Sequence, residues 1–289
     1  MKSTPRARTL VVVRVLVCGF LIIGLSGPLA QDSLAALFTL IDENSAVDFD
    51  TSSQDNAYNW RVDGVDHLHQ QAFWYRVGNF GPETSLHALP HPVEGITDTN
   101  FDGDPDTLFV RYLGAGFRTE VAYRLDGGAP GSFVSDLTEQ ISITNTGTGP
   151  LDFHFFQYCD FDLGGTSGGD SAVFTNANAV QQFEGAQVLT ETVVTPVPDH
   201  REINFFAATL TALNDGVATT LNDLPPTGVV LGPGDVTWAY QWDVVIGPGL
   251  SFQISKDKNL VAVPEPTTLS LAGLAVVAAA SLRMRRRAG

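Results

Sequence analysis

Residues 36–262 form a succession of short runs in which apolar and polar residues alternate, interrupted about every ten residues by Gly, Asp, Asn or Pro. Alternation with a period of two predicts β-strands that place one face in a core. Strands at this spacing are typical of an antiparallel β-sandwich, either jelly-roll or immunoglobulin-like. The predicted strands are residues 46–49, 59–62, 65–68, 71–77, 107–112, 118–125, 137–145, 151–161, 172–183, 186–194, 236–246 and 250–254.

Turn residues between these runs predict hairpins. Three such turns, Asp63-Gly64, residues 146–150 and residues 247–249, each join two runs that are adjacent in the sequence. We therefore expect the two runs on either side of each turn to pair with one another.

One segment departs from the alternation, between residues 209 and 221. Its apolar residues recur at helical spacing and predict one short helix, which ends before two consecutive prolines. These apolar residues are Leu210, Leu213, Val217 and Leu221. Lys256 and Lys258 come after the last predicted strand, and we expect them to form a polar exit from the domain.

The charge of the chain is unevenly distributed. Residues 36–262 hold eight of the sixteen basic residues and thirty of the thirty-two acidic ones, so their formal charge is −22. A surface this acidic repels nucleic acid and anionic lipid, which need clustered Lys and Arg, and it attracts divalent cations. Hydrophobic residues make up 44% of the chain and aromatic residues 10%, which is enough to exclude a disordered acidic chain.

The N-terminal residues 1–35 have the three parts of a secretory signal peptide. An apolar segment at residues 15–25 follows a basic segment, and Ser33-Leu34-Ala35 is a small-x-small cleavage site, so we expect cleavage after Ala35. The basic residues are Lys2, Arg6, Arg8 and Arg14. Cleavage leaves Cys159 as the one thiol, and its aromatic neighbours predict that it is buried rather than reactive.

The C-terminal residues also have three parts. Pro264-Glu265-Pro266 cannot enter a helix interior or a central strand, because each proline fixes φ and lacks a backbone donor. Residues 267–282 are apolar; as a helix they would span about 24 Å, less than the ~30 Å hydrocarbon core of a bilayer. A basic cluster follows, which stays on the cytoplasmic side of a membrane. Its members are Arg283, Arg285, Arg286 and Arg287.

In order, length and position these three parts resemble the PEP-CTERM sorting signal, which membrane proteases called exosortases recognise. The resemblance implies transient anchoring in a bacterial inner membrane, cleavage near residues 264–266 by an exosortase-like protease, and transfer to the cell surface or an extracellular matrix. A permanent C-terminal anchor is the alternative interpretation. We accordingly divide the chain into a signal peptide (1–35), an extracellular β-sandwich domain (36–262) and a sorting signal (263–289).

Residues 98–106 carry the pattern most suggestive of a bound ion. Side chains with oxygen atoms occupy alternate positions, and Gly103 stands sixth, where a calcium loop turns sharply. These side chains are Asp98, Asn100, Asp102, Asp104 and Asp106. They resemble the start of an EF-hand or dockerin loop, although Phe109 occupies the twelfth position, where those loops have a bidentate acid. Two interpretations follow: a Ca²⁺ site, the one cofactor that the sequence indicates, or a solvated Asp-rich turn.

Other ionisable residues give weaker indications. Asp160 and Asp162 end an aromatic run and lie two residues apart, so they would share one face of a strand. They could bind a metal or act as acid and base, or they are simply an acidic strand end. The histidines lack a His-Glu-x-x-His helix or paired cysteines and are expected at the surface. They are His67, His69, His87 and His91.

The sequence contains no nucleophile elbow, phosphate loop or dinucleotide fingerprint. The favoured function is therefore that of a surface or matrix protein without catalytic activity, adhesive or structural in a biofilm or exopolysaccharide. The alternative is an extracellular module that binds or cuts polysaccharide through exposed aromatic side chains. The candidate aromatic residues are Trp60, Phe73, Trp74, Tyr75, Trp238 and Trp242.

Overall fold

A computed structural model of the chain describes residues 37–263, and most of their regular structure is β-strand. Strands β1 to β9 are Leu37–Asp42, Ser45–Asp50, Asn56–Val62, Val65–Asp66, Leu68–Val77, Thr84–Ser85, Val93–Thr97, Thr107–Gly114 and Phe117–Gly127. Strands β10 to β18 are Val134–Asn145, Leu151–Phe161, Asp170–Asn176, Ala179–Glu184, Gln187–Thr195, His200–Phe205, Val230–Gly234, Val236–Ile246 and Ser251–Val261. Helix α1 is Ala208–Asn214, and two 3₁₀ turns span Leu86–Ala88 and Leu163–Gly165.

The strands form two nine-stranded, mainly antiparallel sheets that face each other across one core. Sheet A has the order β1-β2-β3-β5-β11-β17-β15, with β4 paired to β3 and β6 paired to β5. Sheet B has the order β16-β12-β13-β14-β18-β10-β9-β8-β7. The predicted antiparallel β-sandwich with one short helix is confirmed. Each sheet alone has as many strands as a whole variable-type immunoglobulin domain.

Local predictions from turn residues and helical spacing agree well with the structure. The Asp63-Gly64 turn forms its hairpin, and Val62 lies opposite Val65. The predicted helix is present as α1, although it ends at Asn214 and the chain continues as an irregular segment. The run at residues 172–183 is a hairpin of two strands, β12 and β13, rather than one long strand.

Two of the predicted hairpins are instead crossings between the sheets. Strand β10 pairs with β9 and β18 in sheet B, whereas β11 pairs with β5 and β17 in sheet A. Loops 146–150 and 247–250 therefore both carry the chain from one sheet to the other. Asn145 joins these loops, because its side-chain amide donates to the carbonyls of Gly149 (2.8 Å) and Ile246 (2.7 Å). Alternation identifies a strand, but it does not identify the strand beside it.

The core between the sheets is built largely from aromatic side chains. The central strands β5, β11 and β17 of sheet A supply many of them, and Phe161 stacks on Trp238 with ring centroids 5.3 Å apart. Each fully buried large apolar side chain contributes about 1.5–3 kcal/mol through removal from water. The aromatic runs that the sequence shows at residues 151–161 and 236–246 are therefore the centre of the fold.

Sheet B also places four charged side chains in this core. Lys256 and Lys258 on β18, Glu139 on β10 and Glu191 on β14 are each at most 1% exposed. Lys256 Nζ lies 2.5 Å from Glu139 and 3.6 Å from Glu191, and Lys258 also pairs with both carboxylates. The prediction of a polar exit at the two lysines is wrong, because the alternation of β18 continues to Val261 and turns both side chains inward.

The four charges balance one another and receive further hydrogen bonds from sheet A. Burial alone raises the pKa of Glu139, but Lys256 and Lys258 outweigh it and lower that pKa to about 2. Gln157 Nε2 and Trp238 Nε1 donate to Glu191 at 2.8 and 3.1 Å. Cys159 lies beside this group, its burial is confirmed, and burial raises the pKa of its thiol.

Candidate functional site

The outer face of sheet A is covered. Helix α1 and the segment after it lie over the central strands, where Leu213 and Leu221 pack with Trp74, Phe156 and Tyr158. These three aromatic side chains point away from the inter-sheet core, so they would be exposed without α1 and the segment after it. The central strands of sheet A are therefore buried on both faces.

The outer face of sheet B carries an open groove instead. Two adjoining depressions, of about 360 and 680 Å³, lie over strands β8, β9, β10 and β18. Both are lined by Ala122, Gln140 and Ser255, so they are continuous. We call this surface the sheet-B groove.

Strand register explains the shape of the groove. Phe109, Ala122, Gln140, Ser255 and Thr195 lie side by side in one row across five strands. Neighbouring strands are about 4.8 Å apart, so the row is roughly 19 Å long. The rows on either side contain longer side chains, and the short Ala122 and Ser255 leave a depression between them. These flanking residues are Arg111, Glu120, Ser142 and Gln253 on one side, and Thr107, Arg124, Thr138 and Asp257 on the other.

The middle row of the groove is neutral, and the nearest arginines are already paired. Arg111 contacts Glu120 at 2.7 Å, and Arg124 contacts Asp126 at 2.7 Å. The Arg111 guanidinium also lies 5.7 Å from the centre of the Phe109 ring, within cation–π distance. A molecule in the groove would meet amide and hydroxyl groups, with an aromatic ring at one end.

A second candidate site lies at the end of strand β11. Asp160 and Asp162 meet Asp235, which immediately precedes β17, and one ligand oxygen from each lies within 4.8 Å of the others. Among residues 37–263 this is the one group of three or more acidic, His or Cys side chains so close together. A pocket of about 280 Å³, which we call the acidic pocket, is lined by His69, Asp160, Asp162, Ser167, Phe206 and Asp235.

Burial and mutual repulsion dominate the electrostatics of the acidic pocket. Burial raises the pKa of Asp160 to about 7, and repulsion from Asp235 adds to this rise. Burial also raises the pKa of Asp162 and of Asp235, and the neighbouring His69 opposes both shifts. Three carboxylates this close are unfavourable together unless a proton or a cation neutralises part of their charge.

The Asp-rich loop at residues 98–106 lies between β7 and β8, and its side chains turn toward its own backbone. Asp98 accepts hydrogen bonds from the N–H groups of Phe101 (2.6 Å) and Gly103 (3.0 Å). Asp106 is buried and accepts from the Thr99 hydroxyl and N–H. Calcium binding in this loop stays a prediction. Its remaining candidate ligands, all exposed, are Asn100, Asp102 and Asp104.

The histidines and tryptophans lie elsewhere than the sequence suggested. His67 is buried rather than exposed, its Nδ1 accepts from the Gly164 N–H at 3.0 Å, and burial lowers its pKa to about 4. His91 is buried as well, whereas His69 is exposed at the acidic pocket. Of the aromatic residues considered for sugar binding, Tyr75 alone reaches the surface. Fully buried are Trp60, Phe73, Trp74, Trp238 and Trp242.

Comparison with known proteins identifies the tail and the fold. Residues 262–287 match the PEP-CTERM protein-sorting motif. No curated protein matches the chain by sequence. A bacterial glucoamylase solved with acarbose is similar in structure, with a TM-score of 0.50 and 8% identity over 84% of this chain and 36% of the glucoamylase. The chain therefore spans about a third of that protein, and at this identity the likeness is one of fold.

Two shorter proteins are similar along nearly their whole length. A protein described as an aldose 1-epimerase from Escherichia coli K12 has a TM-score of 0.48 and 10% identity, over 79% of this chain and 99% of its own. A galactose mutarotase-like protein from Lactobacillus casei has a TM-score of 0.47 and 6% identity, over 78% of this chain and 100% of its own.

The sorting motif confirms the resemblance inferred from the tail. It implies export, transient membrane anchoring by the tail and processing by an exosortase, which is itself a membrane protein. Within residues 37–263, no helix combines the length and apolar character needed to cross a membrane. Several predictions concern residues outside this range: the signal peptide with its cleavage after Ala35, and the sorting residues Pro264, Glu265, Pro266, Arg283, Arg285, Arg286 and Arg287.

Proposed function

We propose that the exported domain binds a neutral polysaccharide along the sheet-B groove. The observation that carries this proposal is the neutral row at the base of the groove, which runs from Phe109 through Gln140 to Thr195. Amide and hydroxyl groups exchange hydrogen bonds with sugar hydroxyls, and an aromatic ring can pack against the apolar face of a sugar ring. A row of roughly 19 Å offers contacts to several consecutive sugar units.

The charge of the domain favours a neutral ligand over a polyanion. Residues 36–262 have a formal charge of −22, which repels an acidic polymer at long range. Arg111 and Arg124, the basic residues beside the middle row, are both paired with carboxylates and offer little to an anionic group. A neutral polysaccharide is not repelled by the acidic surface and needs no free arginine. The acidic surface therefore excludes polyanions, while the neutral groove binds the polysaccharide.

We infer binding rather than cleavage at this groove. General acid and base catalysis of glycoside hydrolysis uses a pair of carboxyl groups across the scissile bond. The middle row offers no ionisable side chain for that role, and the two carboxylates that line the groove, Glu120 and Asp257, lie in opposite flanking rows, with Glu120 paired to Arg111. Export implied by the PEP-CTERM motif brings the domain outside the cytoplasm, and we propose an adhesive or structural role in an extracellular polysaccharide matrix. The glucoamylase likeness concerns the fold alone, and the groove residues are what support polysaccharide binding.

Affinity electrophoresis of the full-length chain, purified in detergent, tests the proposal. The gels contain a neutral polymer (soluble starch, mixed-linkage β-glucan or galactomannan) or the acidic polymer alginate. We expect retardation by at least one neutral polymer and none by alginate. An assay for new reducing ends on the same mixtures is expected to stay at background. Retardation by none of the neutral polymers, or by alginate alone, would contradict the proposal.

Two groove variants and a matched control locate the binding surface. Ala122→Gln fills the groove with a longer side chain and is expected to abolish retardation. Gln140→Ala removes hydrogen-bonding groups and should weaken binding about ten-fold, the effect of losing one or two hydrogen bonds. Gln181→Ala removes the same side chain from β13, outside the groove, and should bind as the parent does. Equal binding by Gln140→Ala and Gln181→Ala would place the ligand elsewhere.

A further inference from the structure

The acidic pocket brings together three carboxylates from two parts of the chain. Asp160 lies within β11, Asp162 just after it, and Asp235 at the junction of β16 and β17. Asp160 is 1% exposed, and its Oδ1 has no hydrogen-bond partner in the part of the chain that the structure describes, although it lines the pocket. A buried carboxylate oxygen without a partner is costly unless something else binds it.

We propose that the acidic pocket binds a divalent cation, Ca²⁺, through Asp160, Asp162 and Asp235. Carboxylate oxygens are the ligands that Ca²⁺ prefers, and the ion also accepts water to complete six to eight contacts. The half-buried Asp162 and Asp235 leave one side of the site open to water. The ion gives Asp160 Oδ1 the partner that this oxygen lacks, and it offsets the repulsion among the three carboxylates.

The spacing of the ligand atoms is compatible with Ca²⁺. Two oxygens bound to one Ca²⁺ at 2.3–2.6 Å are at most about 5 Å apart, whereas Mg²⁺ at 2.0–2.1 Å limits this separation to about 4 Å. The three aspartate ligand atoms lie within 4.8 Å of one another, which is below the calcium limit for a pair of ligand oxygens. Zn²⁺ prefers nitrogen and sulfur ligands, and His69 is the one nitrogen ligand among the residues lining the pocket.

Calcium at this position would hold together the ends of two central strands of sheet A. The ion would join the end of β11 to the start of β17, and the loop at residues 163–169 begins at the same point. A ligand that binds the folded chain and not the unfolded chain raises stability in proportion to the logarithm of its concentration. The exported domain would therefore be more stable outside the cell, wherever calcium is abundant, independently of any polysaccharide in the groove.

Isothermal titration calorimetry with CaCl₂, MgCl₂ and ZnCl₂ on the EDTA-treated full-length chain tests this site. The double variant Asp162→Asn with Asp235→Asn removes two ligands and leaves the buried Asp160 in place. We expect the parent to bind Ca²⁺ at least ten-fold more tightly than Mg²⁺, and the double variant to bind one calcium ion fewer. The matched control, Asp55→Asn with Asp215→Asn at two exposed positions outside both candidate calcium sites, should retain that ion.

Thermal unfolding distinguishes ligand loss from structural damage. In EDTA the double variant should melt no lower than the parent, since two of three repelling charges are gone; in calcium only the parent should gain several degrees. The proposal is overturned if the parent binds no Ca²⁺, if Zn²⁺ or Mg²⁺ binds as tightly, or if the double variant keeps the parent's calcium stoichiometry. In EDTA, polysaccharides should retard the double variant as much as the parent. The calcium proposal and the polysaccharide proposal can therefore be refuted separately.

Discussion

Sheets A and B have equal numbers of strands but opposite surroundings. Sheet A is apolar on both sides at its centre, because aromatic residues fill the inter-sheet core and α1 covers Trp74 and Phe156 on the outer face. Sheet B turns four charges inward and a neutral polar groove outward. A sheet buried on both faces contributes mainly stability, whereas an open face can contribute binding. The candidate sites accordingly lie on the outer face of sheet B and at the ends of two central strands of sheet A.

The largest expected loss of stability comes from the inner face of sheet B, and its outer face provides the contrast. Glu139→Gln on the inner face removes a carboxylate that pairs with Lys256 and Lys258, and leaves buried positive charge in excess. We expect the free energy of unfolding to fall by about 3–5 kcal/mol. Glu120→Gln, on the outer face of the neighbouring strand, breaks a surface pair with Arg111 and should cost less than about 1 kcal/mol. Urea unfolding measures both, and equal losses would refute the contrast.

The packing of α1 on the outer face of sheet A gives the next largest expected effect on stability. Leu213→Ala leaves a cavity between α1 and the aromatic residues below it, and should cost about 2–5 kcal/mol. Val217→Ala, in the exposed segment just after α1, should change stability by no more than about 0.5 kcal/mol. Both stability changes are measured from the midpoint of urea unfolding, provided that the slope of the free energy of unfolding against urea concentration stays constant. If Leu213→Ala lowered the free energy of unfolding as little as Val217→Ala, α1 would not be packed stably on sheet A.

A pH-dependent loss of stability is expected from the buried start of β12. Burial raises the pKa of Asp170 to about 8, and the carboxylates of Glu184 and Asp162 add to the rise. The folded chain thus holds this proton more tightly than the unfolded chain, whose Asp pKa is about 4. The stabilising contribution is complete below about pH 4 and is lost as pH rises through about 8. The melting temperature should fall by several degrees from pH 5.5 to pH 8.5, and Asp170→Asn should flatten that decline. An unchanged decline in the variant would show that other groups cause it.

The smallest expected effect on stability belongs to the groove. Ala122→Gln adds volume on an open outer face, so it should change the free energy of unfolding by less than about 0.5 kcal/mol while abolishing polysaccharide retardation. Differential scanning calorimetry beside affinity electrophoresis separates the two properties. If Ala122→Gln lowered stability as much as Leu213→Ala, the outer face of sheet B would be packed against other residues, like the outer face of sheet A.

The sequence alone determined the fold class, the short helix and the sorting signal. Period-two alternation is a local property, because successive side chains of a strand point to opposite faces whatever lies beside it. The helical spacing of Leu210 and Leu213 and the order of parts in the tail are equally local. The pair of Asp160 and Asp162 could likewise be singled out from its spacing and its position at the end of an aromatic run.

Strand neighbours, and therefore both candidate sites, were decided by the tertiary structure. Two apparent hairpins became crossings between the sheets, since a Gly-rich loop permits either outcome and only packing selects one. The inward turn of Lys256 depended on carboxylates from β10 and β14. Asp235 and His69 reach the acidic pocket only through sheet pairing, and the neutral row exists only because register aligns single residues from five strands. Such cross-strand arrangements are non-local, so no pattern along the chain records them.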